Sequence, residues 1–217
     1  MTTHGLALFV ATGLLLNITP GPDVLYIVGR AASQGRKAGF VSALGIGAGG
    51  LLHILAAVAG VSTLMMRLPA AYETVRWLGA AYLFYLGLRA LLRRGPAAEV
   101  KTEVQTDVKT VGSDGLGRVF WQGFLTNALN PKVALFFAAF LPQFVDPARG
   151  SLPFQFLLLG LIFDVNGTIV NLAYAAIAGS AASWLRGRVG AGRALDRLAG
   201  LLFIGLGIRL ALASRRP

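Results

Sequence analysis

The chain has 217 residues, of which 55% are hydrophobic and 13% charged, and its net charge is +11. Because soluble domains carry about 25% charged residues, this composition excludes a soluble enzyme and a disordered tail. The lack of cysteine excludes disulfides and Cys-ligated metals. In so apolar a chain, the excess of Lys and Arg is typical of cytoplasmic loops rather than of nucleic-acid binding. Zinc-protease and phosphate-loop motifs are absent, so no metal or cofactor is predicted.

Six apolar stretches are long enough to cross a hydrocarbon core of about 30 Å. They cover residues 6–28, 38–65, 70–92, 119–144, 152–185 and 194–213. The fifth stretch is longer than a bilayer needs and is expected to tilt or protrude. The polar linker at 93–118 is too short to fold by itself. The sequence therefore predicts one all-α polytopic membrane domain over residues 1–217, with three spans in its first part, 1–92, and three in its last, 119–217.

The basic residues predict the orientation. Thirteen of the twenty Lys and Arg residues lie in loops after the first, third and fifth spans, and six lie on the opposite side. Since the excess of positive charge marks the cytoplasmic side, both termini are predicted to lie outside. No Lys or Arg precedes Arg30, so the first span lacks the charged start of a cleaved signal peptide and is expected to stay in the mature protein.

The two halves of the chain resemble each other weakly. Asn17 aligns with Asn127 at an offset of 110, and Arg89 aligns with Arg209 at an offset of 120. Because each half holds three spans, an odd number, the second half is predicted to be inverted in the membrane. Inverted repeats are typical of secondary transporters, whose substrate site lies where the repeats meet.

Proline interrupts the first and fourth spans near their centres, in the segments Asn17-Ile-Thr-Pro-Gly-Pro-Asp23 and Asn127-Ala-Leu-Asn-Pro-Lys132. Each proline removes a backbone donor and clashes with the carbonyl four residues earlier. The carbonyls of Leu16, Ile18 and Asn127 are therefore predicted to be free. In a membrane such breaks are tolerated only against protein or water. Two breaks at matching places favour a binding site over simple kinks.

Each break also starts a half-helix, whose N-terminus favours a carboxylate. The freed carbonyls, together with the polar side chains of the two segments, favour an ammonium group. The sequence thus predicts a cradle for a zwitterion. The predicted substrate-binding residues are Asn17, Thr19, Pro20, Gly21, Pro22, Asp23, Asn127, Asn130, Pro131 and Lys132.

Three strongly charged residues lie well inside the spans, where charge is costly and indicates function. Asp23 either caps a half-helix or works in transport, and Lys132 needs a carboxylate from an Asp or from the substrate. Asp164 either pairs with Lys132 or stays unpaired. One carboxylate remains without a partner, and a buried carboxylate of this kind binds a proton readily. We therefore expect Asp23 or Asp164 to bind protons or the substrate ammonium.

Two other features of the second span leave alternatives open. His53 is either neutral and hydrogen-bonded to a neighbouring helix or part of a proton relay. Gly45 and Gly49 form a Gly-x-x-x-Gly pair, which lets helices approach closely. This pair serves either packing within the monomer or the seam of a homodimer.

Three motifs, Pro20-Gly-Pro-Asp23, the segment 77–87 and Asn130-Pro-Lys132, together resemble the LysE/RhtB family of amino-acid exporters, in the branch of threonine, homoserine and leucine exporters. The resemblance covers the whole chain. It implies a bacterial inner-membrane carrier that expels amino acids or their derivatives by using the proton gradient. Many relatives carry an acid in the second span, where this chain has Gly50, so any role of that acid either falls here to Asp23 or Asp164 or is absent.

Three functions remain as hypotheses at this stage. The first is a secondary exporter of small amino acids, whose partners are the amino acid, protons and the lipid bilayer. The second is a passive channel, which would share the polar breaks but need no group that binds protons. The third is a membrane enzyme or assembly factor. Two related halves around a central site favour the exporter, because alternating access requires that arrangement.

Overall fold

A computed structural model of the chain describes residues 3–92 and 115–187, together with scattered helical residues between 197 and 212. All regular elements in these ranges are helical, which confirms the predicted all-α class. The α-helices are α1 (Thr3–Ile18), α2 (Pro22–Gln34), α3 (Arg36–Ala56), α4 (Ser62–Arg67), α5 (Pro69–Leu92), α6 (Leu116–Ala128), α7 (Pro131–Leu135) and α8 (Leu152–Gly187). Two π-helical turns (Ala57–Val61 and Phe136–Phe140) and two 3₁₀ turns (Leu141–Phe144 and Pro147–Arg149) continue or connect them.

Four of the six predicted spans correspond to apolar helices in the structure. Arg36–Arg67 and Leu152–Ala178 are each long and apolar enough to cross a membrane. Two bent pairs also reach that length if each counts as one span: Gly5–Ile18 with Pro22–Gln34, bent by 48°, and Leu116–Ala128 with Pro131–Phe144, bent by 43°. The third predicted span, residues 70–92, corresponds to helix α5, which is not among these candidates. Only scattered residues of the sixth span are described, and most of the linker lies outside the described residues, so six spans remain a prediction.

The fifth predicted span is unusually long, as expected. Helix α8 has 36 residues, which at 1.5 Å per residue corresponds to about 54 Å. This length exceeds the hydrocarbon core of about 30 Å. A helix of this length is expected to tilt in a bilayer or to protrude from it.

The two predicted helix breaks are confirmed, and local chemistry explains each of them. Pro22 and Pro131 each occupy the first position of a new helix, where the missing N–H would have no partner anyway. Asn130 caps helix α7, because its side chain accepts a hydrogen bond of 3.0 Å from the backbone N–H of Lys132. Between α2 and α3 the chain turns at Gly35, whose φ of 86° favours glycine.

The core has two parts of different composition. The larger part is rich in phenylalanine, and Phe9, Phe136, Phe140 and Phe156 are fully buried within it. The smaller part, around Ala43, packs small and branched side chains of α2, α3 and α8. The polar cavity is bounded by residues of both regions.

Gly45 and Gly49 bring helix α3 against helix α6 within the same chain. A Cβ atom built on Gly45 would overlap the carbonyl oxygen of Phe120, and one built on Gly49 would overlap that of Phe124. Backbone atoms cannot move aside as side chains do, so both positions require glycine. The Gly-x-x-x-Gly pair is therefore used inside the monomer, and it provides no support for the homodimer seam.

Replacing Gly45 with alanine is expected to destabilise the protein by about 1–3 kcal/mol, the usual cost of overpacking a core. Thermal unfolding in detergent measures the change. Gly29→Ala is the matched control, because a Cβ at that helical position meets nothing within 4 Å. Equal melting temperatures for the two variants would contradict the close contact between α3 and α6.

Candidate functional site

A polar cavity of about 30 Å³ lies where the two helix breaks meet, against α3 and α8. A space of this size holds about two water molecules and is too small for an amino acid in this conformation. Six predicted site residues line the cavity: Asn17, Gly21, Asp23, Asn127, Lys132 and Asp164. The other predicted residues lie outside the lining: Thr19, Pro20, Pro22, Asn130, Pro131 and His53.

Lys132 joins the two breaks. Its Nζ donates hydrogen bonds to the carbonyl oxygens of Leu16, at 3.0 Å, and Thr19, at 3.1 Å. Gly21 leaves room for this contact, since a Cβ there would lie 3.3 Å from Nζ. An ammonium group has three donors, so one N–H of Lys132 remains for another acceptor. In the described parts of the chain, no ion pair joins Lys132 to Asp164, which rules out that alternative for this conformation.

The three carbonyls freed by proline all accept hydrogen bonds from side chains of the protein. The Leu16 carbonyl accepts from Lys132, as described above, and the Ile18 carbonyl accepts from the Tyr174 hydroxyl at 2.8 Å. The Asn127 carbonyl is bound by Nε2 of His53 at 2.9 Å. In this conformation the protein itself supplies a donor to each carbonyl, and a carbonyl oxygen can accept a second hydrogen bond, so binding of the substrate ammonium there stays a prediction.

His53 is buried and hydrogen-bonded to a neighbouring helix, the arrangement that the first of its two interpretations requires. Because a carbonyl only accepts, Nε2 must carry the hydrogen in its bond to Asn127. The ring also stacks on Phe137, with 5.9 Å between the ring centres. His53 contacts neither carboxylate of the cavity, and Asn127 lies between it and Asp23. A relay role would require protons to pass through that amide.

Asp23 and Asn127 form a buried pair with two unsatisfied oxygens. The Asn127 side chain donates through Nδ2 to Oδ2 of Asp23 at 2.9 Å. Oδ1 of Asp23 and Oδ1 of Asn127 are both buried without a hydrogen-bond donor. Asp23 lies in the first turn of α2, where the helix dipole favours an anion. Buried acceptors without donors are costly, so this pair is well placed to receive a cationic or N–H group.

Asp164 enters the cavity from helix α8 and lies against Gly50 of α3. A Cβ built on Gly50 would overlap a carboxylate oxygen of Asp164. In the two long described stretches no side chain donates a hydrogen bond or forms an ion pair with this carboxylate. With Asp23 and Lys132 the cavity therefore holds two acidic groups and one basic group, a balance that favours a bound cation or proton.

Sequence reasoning missed three polar residues of helix α8, namely Thr168 and Asn171, which line the cavity, and Tyr174, which binds the Ile18 carbonyl. A signal for the first two was present. Residues 164, 168 and 171 have the spacing i, i+4, i+7, which places them on one face of a helix. In an apolar span, such a polar stripe next to a carboxylate indicates a cavity wall.

Two broken helices enclosing a charged cavity define the class of the protein, because this arrangement is typical of secondary membrane transporters. The chain belongs to the LysE type translocator family, whose sequence profile matches residues 14–214. The family consists of transporters, so the protein is a membrane transporter and not an enzyme. This membership removes the enzyme and assembly-factor hypothesis.

Relatives with names that state a function cover nearly the whole chain. It is 33% identical to the homoserine/homoserine lactone efflux protein of Salmonella typhi, over 94% of this chain and 95% of the relative. It is 28% identical to the leucine efflux protein of Salmonella choleraesuis, over 94% and 92% of the two chains. No solved structure matches the chain significantly.

Proposed function

We propose that the protein exports small amino acids or their derivatives across the bacterial inner membrane in exchange for protons. The observation that carries this proposal is the cavity between the two breaks, which is lined by Asp23, Asp164 and Lys132. The relatives named as homoserine and leucine efflux proteins support a substrate of that size and class.

The free hydrogen-bonding groups of the cavity match an α-amino acid. The remaining N–H of Lys132 is suited to the substrate carboxylate, since a charge-assisted hydrogen bond is stronger than a neutral one. The unsatisfied oxygens of Asp23 and Asn127, together with the Asp164 carboxylate, are suited to the ammonium group. Asn17 supports the cavity wall, because its Nδ2 donates to the carbonyl oxygen of Phe163 at 3.4 Å.

Transport requires the cavity to open alternately on the two sides, and inverted repeats provide that movement. A reciprocal contact supports such repeats. A Cβ on Gly87 would lie 2.7 Å from the carbonyl oxygen of Gly200, and a Cβ on Gly207 would lie 2.9 Å from that of Ala80. At the repeat offset of 120, Gly87 corresponds to Gly207 and Ala80 corresponds to Gly200. Exchanging the two repeats therefore turns the first contact into the second. The similar bends of 48° and 43° agree with this relation.

Proton coupling follows from competition for the same acidic groups. The cavity carries one more acidic than basic group, so either a proton or a substrate ammonium balances its charge. A carboxylate that has bound a proton is neutral and no longer attracts an ammonium group, so the proton and the substrate compete for it. In this proposal Asp164 or Asp23 binds a proton on the outside, releases the amino acid, and returns the proton to the cytoplasm.

Everted membrane vesicles provide the test. A proton gradient is established across vesicles that contain the protein, and a panel of radiolabelled amino acids is added. Vesicles that lack the protein are the control. We expect uptake of small amino acids that stops when an uncoupler is added, and counterflow that persists. Uptake of no amino acid would overturn the exporter proposal. Conductance without counterflow would favour the passive channel.

A further inference from the structure

The glycines of helix α3 face two different kinds of neighbour. Gly45 and Gly49 meet backbone oxygens of α6, as expected for helix packing. Gly50 instead meets a charged side chain: a Cβ there would overlap Oδ1 of Asp164, with the Asp164 Cγ at 3.0 Å and the Asn127 Oδ1 at 3.8 Å. The missing side chain at position 50 thus leaves a space that a carboxylate from another helix fills.

We propose that Gly50 positions the Asp164 carboxylate for transport, and that this carboxylate and the Asn127 side-chain oxygen form the subsite for the substrate ammonium. The inference rests on the proposed function and deepens it. Both oxygens lie next to the point where a Gly50 Cβ would be, and both are acceptors. Oδ1 of Asn127 is buried without a donor, and an ammonium group between the two oxygens would satisfy both.

A purely structural role does not explain this arrangement. A carboxylate that stabilises a fold does so through an ion pair or hydrogen bonds, whereas the partly buried Asp164 has neither among the described residues. Glycine at position 50 also gives up helix propensity without allowing a close backbone contact like that of Gly45. What the two residues achieve together is the placement of a negative charge beside Asn127.

The location of the charge, and not the helix that carries it, should therefore decide transport. If Asp164 were replaced by glycine, an aspartate at position 50 would project into the space that the Asp164 carboxylate now fills. Three variants test this idea in the vesicle assay: Gly50→Ala, Asp164→Gly, and the exchange Gly50→Asp with Asp164→Gly. The matched control is Gly50→Asn with Asp164→Gly, which restores the volume without the charge.

We expect Gly50→Ala to raise the KM for the amino acid at least tenfold and to change the maximal rate less, because the carboxylate is displaced from its subsite. Asp164→Gly should lose transport. The aspartate exchange should recover at least a tenth of the parent rate, and the asparagine exchange should not. Thermal unfolding in detergent, with and without the amino acid, shows which variants are folded and which still bind it.

Two results would overturn the inference: an unchanged KM in Gly50→Ala, or an aspartate exchange no more active than the asparagine exchange. If the exchanged chain does not accumulate in the membrane, the KM of Gly50→Ala decides alone. These outcomes differ from failure of the proposed function, in which the parent protein itself transports no amino acid.

Discussion

Replacing Lys132 with methionine is expected to reduce export of an amino acid roughly 100-fold or more, the usual scale for losing one member of a buried charged contact. Methionine is unbranched and only one atom shorter than lysine, but it removes the donor for the substrate carboxylate. It also leaves the Leu16 and Thr19 carbonyls without the bonds that Nζ supplies at 3.0 and 3.1 Å. Initial rates in everted vesicles, divided by the amount of protein in the membrane, measure the effect.

A second substrate separates binding from folding in this variant. The methyl ester of the same amino acid has no carboxylate for Lys132, so its transport should fall much less in Lys132→Met than transport of the free acid. An equal fall for both substrates would contradict the carboxylate-binding role. Tyr174→Phe is the matched structural control, because it removes the donor of the Ile18 carbonyl without removing a charge. That variant should lose about 1 kcal/mol of stability and keep its substrate preference.

Asp164→Asn is expected to remove the dependence of export on the proton gradient. Asparagine keeps the size of the side chain and its place against Gly50, but it does not bind a proton in the physiological range. Uptake driven by a pH gradient should therefore disappear, whereas any remaining counterflow should become independent of pH. Full proton-driven transport in this variant would remove the coupling role from Asp164.

Asp23→Asn is the companion experiment. Its side chain can still accept the hydrogen bond that Asn127 donates at 2.9 Å, so the wall of the cavity should remain in place. We expect a raised KM with the proton dependence retained, because Asp23 contributes a substrate contact while Asp164 titrates. The reverse pattern, with coupling lost only in Asp23→Asn, would assign the proton to Asp23.

Much of the architecture was predictable because its causes are local. Hydropathy identified four spans that correspond to apolar helices. Proline located both breaks, since it removes its own N–H whatever the rest of the fold does. The cost of charge in an apolar span singled out Asp23, Lys132 and Asp164, and all three line the cavity.

The partners of these groups were not predictable in the same way. The freed carbonyls were identified, but their donors lie far away in the sequence: Lys132 is 116 residues from Leu16, and Tyr174 is 156 residues from Ile18. Which side chain reaches a carbonyl depends on how each helix is rotated and packed. Sequence reasoning therefore could not identify the donors that the protein itself supplies to these carbonyls.

The sequence alone predicted an apolar, helical membrane protein, the positions of its two helix breaks and the charged residues inside its spans. These features were predictable because hydropathy and the geometry of proline act within a few residues. Only the tertiary structure decided that Lys132 fills the first break, that Gly45 and Gly49 pack against α6, and that Gly50 makes room for Asp164. Those facts depend on distances between separate helices, and the packing of the whole bundle sets them.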